Sequence, residues 1–408
     1  MNYYQFLREN ARWLFGGMML TIFSAFGQSF FIGLYSAELI RTFDISQGTW
    51  GSIYMGSTLA SAITLVLIGR IVDHRTVAVV AGVVICGLAV FCVAMAAVPS
   101  VWLLPLVIYG LRLFGQGMMT HVAFTAMGRW YVASRGRAVS VVTIGHQVGE
   151  AAFPPLFAAL VLAVGWRQSW VIAAVSLVLV ALPIIVLLMK TERVPLGTAS
   201  AELEVGRQWE RHEVVRDPLF WATCVGIFAP AYIGTSFFFF QAFLSELRDW
   251  PITLVPNSYV ILAIFTVSTA LIAGVIIDRF SAARLLPFFL VPLGRANMLL
   301  GWFDAPWIVA VYMALLGVSY GISSSMFGAI WPEIYGTRNL GSVRSLTMAM
   351  MVLASAVGPG VTGILVDWGV GIELQFIGMG VYCVATVVLM TMIAPLIVKR
   401  RAAELLAD

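Results

Sequence analysis

Twelve apolar stretches, most of them about twenty residues long, alternate with short polar segments along the chain. They fall near 14–35, 50–69, 77–97, 101–125, 138–162 and 169–189, and again near 219–241, 258–277, 283–303, 307–329, 345–366 and 374–397. Roughly twenty apolar residues make a helix long enough to cross the hydrocarbon of a bilayer. The pattern therefore predicts six spans, a polar interval and six more. The interval 190–217 is rich in Glu and Arg and reads as a linker exposed to water. The domains predicted are a six-helix bundle over 1–189, a cytoplasmic linker over 190–217 and a second six-helix bundle over 218–408.

Composition agrees with that pattern. The chain is 61% hydrophobic and only 11% charged, which excludes an ordinary water-soluble protein of 408 residues. The first apolar run reads as a retained span, because no small-residue cleavage site follows it. The four cysteines have no metal-ligand spacing and suit apolar packing. No metal site or cofactor is expected, and no basic run is large enough for nucleic acid. The placement of charge says more than the net value of +4. With the N-terminus inside, nineteen Lys and Arg fall in cytoplasmic segments and three, Arg41, Arg167 and Arg248, fall outside. Both termini are then cytoplasmic.

The halves repeat. Gly27-Gln-Ser-Phe-Phe31 matches Gly234-Thr-Ser-Phe-Phe238, 207 residues on. Gly69-Arg-Ile-Val-Asp73 matches Gly274-Val-Ile-Ile-Asp278, and Tyr54 matches Tyr259, both 205 residues on. Repeated bundles are a common plan of secondary transporters. The fold class expected is an all-α polytopic membrane protein, with two six-helix bundles related by pseudo-two-fold symmetry.

Gly-x-x-x-Asp at the end of the second span, repeated at the end of the eighth, resembles the loop signature of the major facilitator superfamily. The second copy keeps Gly274, Asp278, Arg279 and Arg284, whereas the first keeps only Gly69 and Asp73. Arg112-Leu-Phe-Gly-Gln-Gly117 resembles the superfamily's fourth-span signature, and Gly358-Pro-Gly-Val-Thr-Gly363 its eleventh span. Trp331-Pro-Glu-Ile-Tyr-Gly336 through Arg344 is similar to the monocarboxylate and oxalate–formate porter branch. The resemblance implies alternating access, a monomer, and a cavity lined by the first and seventh spans, with Gln28 and Thr235 as substrate contacts. It implies gating by Asp73, Gly274, Asp278 and Arg279, whose charges would latch helices in one conformation only. Tyr54 and Tyr259, near the outer ends of their spans, are expected either to close an outer gate or to be interfacial tyrosines.

Chemistry concentrates in the fourth and fifth spans. Thr143, His146, Gln147 and Glu150 share one helical face inside an apolar run. A charged acid at bilayer depth costs roughly 2.5–3.5 kcal/mol on insertion scales, so Glu150 is expected to face a cavity, a base or a proton path. Arg112, Gln116 and Thr120 form a polar stripe on the neighbouring span. Arg112 and Glu150 lie at similar estimated depth and are expected to pair, with His146 sharing the proton. The alternative is a static ion pair bracing two helices. Arg295 lies mid-span and is expected to point inward or to sit where Pro292 and Gly294 disturb the helix, bound either to an anion or to carbonyls freed by Pro292.

No nucleotide loop or nucleophile motif points to an enzyme. The function expected is secondary transport of a small organic anion, such as a monocarboxylate, coupled to protons in a bacterial inner membrane. The partners expected are that substrate, a coupling ion and membrane lipid. The alternatives are efflux of drugs or metabolites, and a non-transporting receptor or assembly factor on the same fold. Glu150 standing where the family's fifth-span antiporter signature has Pro counts against efflux.

Overall fold

Long runs of apolar residues form helices here, because only a helix satisfies every backbone polar group within one segment. The computed structural model describes residues 3–131, 134–193, 209–336 and 339–407. Among these residues every regular element is helical, with no β-strand. Eleven helices are long and apolar enough to cross a membrane: Tyr4–Gly33, Gln47–Ile68, Val77–Ala97, Val101–Trp130, Gly136–Val164 and Trp166–Met189, then Pro218–Leu247, Leu254–Phe280, Trp307–Tyr335, Leu340–Asp367 and Ile372–Ala403. The ninth apolar run, 283–303, is different. It starts as a 3-10 turn at Ala283–Leu285, continues through turns, and becomes α-helical only at Val291–Trp302. Pro287 lacks the amide that a helix interior needs, and Pro292 stands in the first turn of the helix, where a missing amide costs nothing and proline favours a start. The long helices are called the first to eighth and tenth to twelfth spans below, and Val291–Trp302 keeps the ninth place.

Contacts divide the chain into two units. One comprises Met1–Ser200 and Phe238–Phe243, the other Ala201–Phe237 and Leu244–Asp408. In the first unit the core is aromatic: Phe26, Phe31, Phe153, Phe157 and Trp170 pack with ring centroids about 5 Å apart. Trp50 and Tyr54 pack on Phe239 in the same unit. In the second unit Phe237 stacks on Tyr312 at 4.2 Å. Phe237–Phe240, four consecutive phenylalanines in the seventh span, are all buried and form a packing surface.

In each unit an ion pair ties helix ends together and also caps a helix start. In the first, Arg129 at the end of the fourth span pairs with Glu192 at 2.9 Å, and Glu192 accepts from the Val77 amide. In the second, Glu333 at the end of the tenth span pairs with Arg401 at 3.1 Å and accepts from the Ser281 hydroxyl and the Ala282 amide. The signs are reversed between the two, but in both the acid caps the start of an earlier segment, the third and the ninth, where backbone amides favour an anion.

The start of the seventh span carries a tighter knot. Asp217 is buried, caps the Leu219 amide at 3.1 Å, and accepts from the Tyr335 hydroxyl at 2.8 Å and Arg400 Nη1 at 2.7 Å. Arg400 lies over Trp209, 4.7 Å from the ring centroid, which docks the end of the linker on this unit. Removing one partner of a buried pair typically costs about 3–5 kcal/mol. Because the Arg400 side chain is 22% exposed, Asp217→Ala is expected to fall at or below the lower end of that range. A thermal melt in detergent reads the loss, and an unchanged midpoint would show the knot to be incidental.

Candidate functional site

The first span is broken near its outer third. The helix Tyr3–Phe23 gives way to a 3-10 turn, Ser24–Gly27, then to extended backbone at Gln28 (φ −84°, ψ 156°) and a five-residue helix, Ser29–Gly33. Local side chains compete for the main chain here, since the Ser24 hydroxyl donates to the Thr21 carbonyl at 2.7 Å. Gly27 fixes the place. A Cβ on it would stand 2.7 Å from Gly115 Cα of the fourth span, so the two backbones meet directly. The fourth span is π-helical there, over Arg112–Met119, a distortion frequent at functional sites.

Arg112 fills the space made by the break. It is fully buried. Its Nη1 donates to the Gly27 carbonyl at 3.0 Å and the Ser29 hydroxyl at 3.3 Å, and its Nε donates to Thr58 Oγ1 at 3.2 Å. The Tyr54 ring lies beneath the guanidinium, 5.1 Å from Cζ to centroid, and its hydroxyl shares a hydrogen bond with Ser29. The Arg112 Nη2 is buried and has no hydrogen-bond partner among the described residues. Such a broken span with a freed carbonyl is how many transporters build a midplane site. Ser29 and Thr58 are the members of this cage that the sequence pattern did not single out. Ser29 stands in the repeated Gly-x-Ser-Phe-Phe segment, and Thr58 one turn after Tyr54, so both were within reach of it.

The fifth span presents its polar face differently from expectation. Thr143 returns its hydroxyl to the Val139 carbonyl at 2.9 Å. His146 meets Phe30 edge-on, 6.2 Å between centroids. Gln147 Oε1 is buried without a partner among the described residues. Glu150 is 4% exposed and forms no ion pair among the described residues. The expected Arg112–Glu150 pair is therefore absent. The physical reason is the packing of the first span. Gly149 seats the fifth span against Ile22, where a Cβ would stand 2.6 Å from the Ile22 carbonyl. Arg112 instead binds the later, broken part of the first span at Gly27. Gln28 is buried, and Gln116 is half-buried. Thr120 donates to the Gln116 and Gly117 carbonyls, so part of the fourth-span stripe satisfies itself. Tyr54, expected to be either an outer gate or an interfacial tyrosine, is wholly buried as the floor of the Arg112 cage.

The second unit has a counterpart. Tyr320, 208 residues after Arg112, donates its hydroxyl to the Pro230 carbonyl at 3.2 Å and occupies the place a Cβ on Gly234 would take. Gly27 and Gly234 thus serve the same purpose, admitting a polar side chain or backbone against the first helix of each repeat. Thr235 and Tyr259 are buried in this unit. Arg295 is exposed on the short ninth helix, whose inward face is Leu293, Gly294, Ala296 and Asn297. The inward orientation expected for it is not seen. A Cβ on Gly274 would have no atom within 4 Å, and Asp278 and Arg279 are both outside the core, with Arg279 over the Phe280 ring. The Asp73 side chain and Arg338 lie outside the described residues. Arg344 donates to the Gly328 carbonyl at 2.5 Å.

The Major Facilitator Superfamily family model matches residues 17–359, most of the chain. The chain belongs to the major facilitator superfamily. It is a multi-pass integral membrane protein of a family of membrane transporters. Its fold is similar to the crystal structure of a bacterial homologue of the human lysosomal transporter Spinster, in an inward-facing and unoccupied conformation. The TM-score is 0.69 at 18% identity, over 97% of this chain and 98% of that one. The same homologue in an inward-facing and occupied conformation gives 0.67 at 18% identity, over 97% of both chains. At that identity the likeness speaks for the fold alone. No curated protein sequence shows a significant match.

Proposed function

We propose that this superfamily member is a secondary active transporter that carries a small organic anion, such as a monocarboxylate, by alternating access with proton coupling. One observation carries the reading: a fully buried guanidinium, Arg112, whose Nη2 has no partner among the described residues, set at the break in the first span. A buried donor left unsatisfied is costly, more so when charged. A carboxylate oxygen is the acceptor that relieves that cost best, through a charge-assisted hydrogen bond. The amides of Gln28 and Gln116 lie on the spans that build the cage, as polar groups able to take the rest of a small anion. Arg295, exposed on the ninth helix, has no part in binding it. The porter-like segment Trp331–Gly336 keeps the monocarboxylate branch as the preferred relative, and it supports the reading only through that likeness.

Glu150 supplies the coupling. An acid with no counter-cation at bilayer depth is expensive when charged, and taking up a proton removes that cost. His146, one turn earlier, lies on the same face. Coupling through this acid does not require a direct bond to Arg112, and its partner is the proton itself.

A thermal-shift screen of the purified protein against small carboxylates and hydrophobic cations tests the substrate class. A ligand at a hundred times its Kd stabilises by about 2.7 kcal/mol, which a melt resolves. Carboxylates are expected to raise the wild-type midpoint, and Arg112→Gln is expected to lose that response. A shift confined to hydrophobic cations would overturn the anion reading in favour of efflux.

A further inference from the structure

A cavity of about 480 Å³ lies inside the second unit, between the seventh, eleventh and twelfth spans. Phe228, Tyr232, Met350, Leu353, Val357 and Met379 form much of its wall, and no charged side chain lines it. Tyr382, also in the wall, already donates its hydroxyl to the Val225 carbonyl at 2.6 Å. The volume is that of a site for a drug-sized ligand, about 300–1,000 Å³.

The helix packing explains why the space exists. Gly358 presses the eleventh span onto the seventh, where a Cβ would stand 2.7 Å from the Tyr232 carbonyl and from Ser236 Oγ. Gly378 of the twelfth span has nothing within 4 Å of its Cβ position. The eleventh span is thus pinned on one side and leaves a gap on the other. Leu353 is 50% exposed and Tyr382 40%, so the gap opens on the unit's surface. Next to Tyr382, the twelfth span exposes an unbroken apolar stripe of Val381, Val384, Val388, Met392 and Leu396. A stripe of that kind on a spanning helix is what hydrocarbon wets. The wall residues lie near the middles of the seventh and eleventh spans, Pro218–Leu247 and Leu340–Asp367. Acyl chains are therefore the medium at the opening.

An empty apolar void forfeits dispersion contacts along its wall. Water is a poor filler where few polar partners are offered. We propose that this cavity is a lipid site that takes one acyl chain of a bilayer phospholipid between the eleventh and twelfth spans. The two methionines give it walls that conform to a flexible chain. The proposal is independent of the anion-transport reading and uses none of its residues.

The full-length protein in nanodiscs of phosphatidylcholine, a fraction of it carrying a diazirine at mid-chain, provides the test. After irradiation, peptide mapping is expected to concentrate adducts on 350–357 and 378–382. Gly378→Trp, which places an indole in the free space, is expected to abolish those adducts while leaving labelling of 384–396 unchanged. Equal labelling of every exposed span in the wild type would overturn the proposal whether or not the variant folds. Displacement of the adducts by added tetraphenylphosphonium would reassign the cavity to a solute and overturn it as well.

Discussion

Glu150→Gln in proteoliposomes is expected to reduce uptake driven by an inward proton gradient to background while sparing counterflow. The substitution keeps the shape of the side chain and removes the proton site. Glu150 is 4% exposed and without an ion-pair partner among the described residues, so the change breaks no salt bridge. Counterflow needs only that the loaded protein reorient, and a neutral amide allows that as a protonated acid does. Gradient-driven accumulation needs the proton to be taken up on one side and released on the other, and an amide does neither. The stability of the variant carries a second sign. Removing an acid that has no counter-cation at bilayer depth relieves a cost of roughly 2.5–3.5 kcal/mol whenever the acid is charged, so the thermal midpoint should hold or rise. A fall in midpoint together with loss of both transport modes would mean that Glu150 braces the helices. Undiminished gradient-driven uptake would remove it as the coupling acid.

The spans were legible because crossing a bilayer demands a run of apolar residues of set length, and that demand is written in composition alone. The ninth run shows the limit of this signal. Hydropathy over 283–303 is that of a span, but hydropathy does not distinguish helix from turns in apolar chain, and Pro287 and Pro292 shift the helix start to Val291. Arg112 was legible as a buried cation because its cost is intrinsic. Its partners were not, because the principal one is the backbone carbonyl of Gly27, and every residue carries a carbonyl. Depth along a span can be estimated by counting, which placed Arg112 and Glu150 at one level. The direction each faces depends on where helices touch, and Gly149 against Ile22 settles that for the fifth span. Arg295 failed for a related reason: a cation is forced away from lipid on a full-length span, and the ninth helix is short. The paired glycines Gly27 and Gly234 were found as a repeat without a cause, and the structure gives the cause as close approach to Gly115 and Tyr320.

That close approach sets up the second large effect. Gly27→Ala is expected to collapse the yield of monodisperse protein, or to lower its thermal midpoint sharply, and to abolish carboxylate binding with it. The added methyl would stand 2.7 Å from Gly115 Cα and 2.8 Å from the Gln116 amide nitrogen, and closer still to the Leu111 carbonyl. All three are main-chain atoms of one helix, so no side chain can swing away to make room. The first and fourth spans must separate, and separation draws the Gly27 carbonyl away from Arg112 Nη1, now at 3.0 Å. Overpacking of this kind costs about 1–3 kcal/mol, and weakening a hydrogen bond from a charged donor costs about 1.5–3 kcal/mol more. Gly274→Ala is the matched control, at a glycine of the repeated loop signature that has open space where the methyl would go. There the helix gains roughly 0.8–1 kcal/mol in propensity, and the midpoint is expected to hold or rise. Equal losses in the two variants would mean that the effect belongs to glycine in a membrane helix generally. A normal melt and normal carboxylate response in Gly27→Ala would mean that the backbone contact beneath Arg112 is not what holds the guanidinium in place.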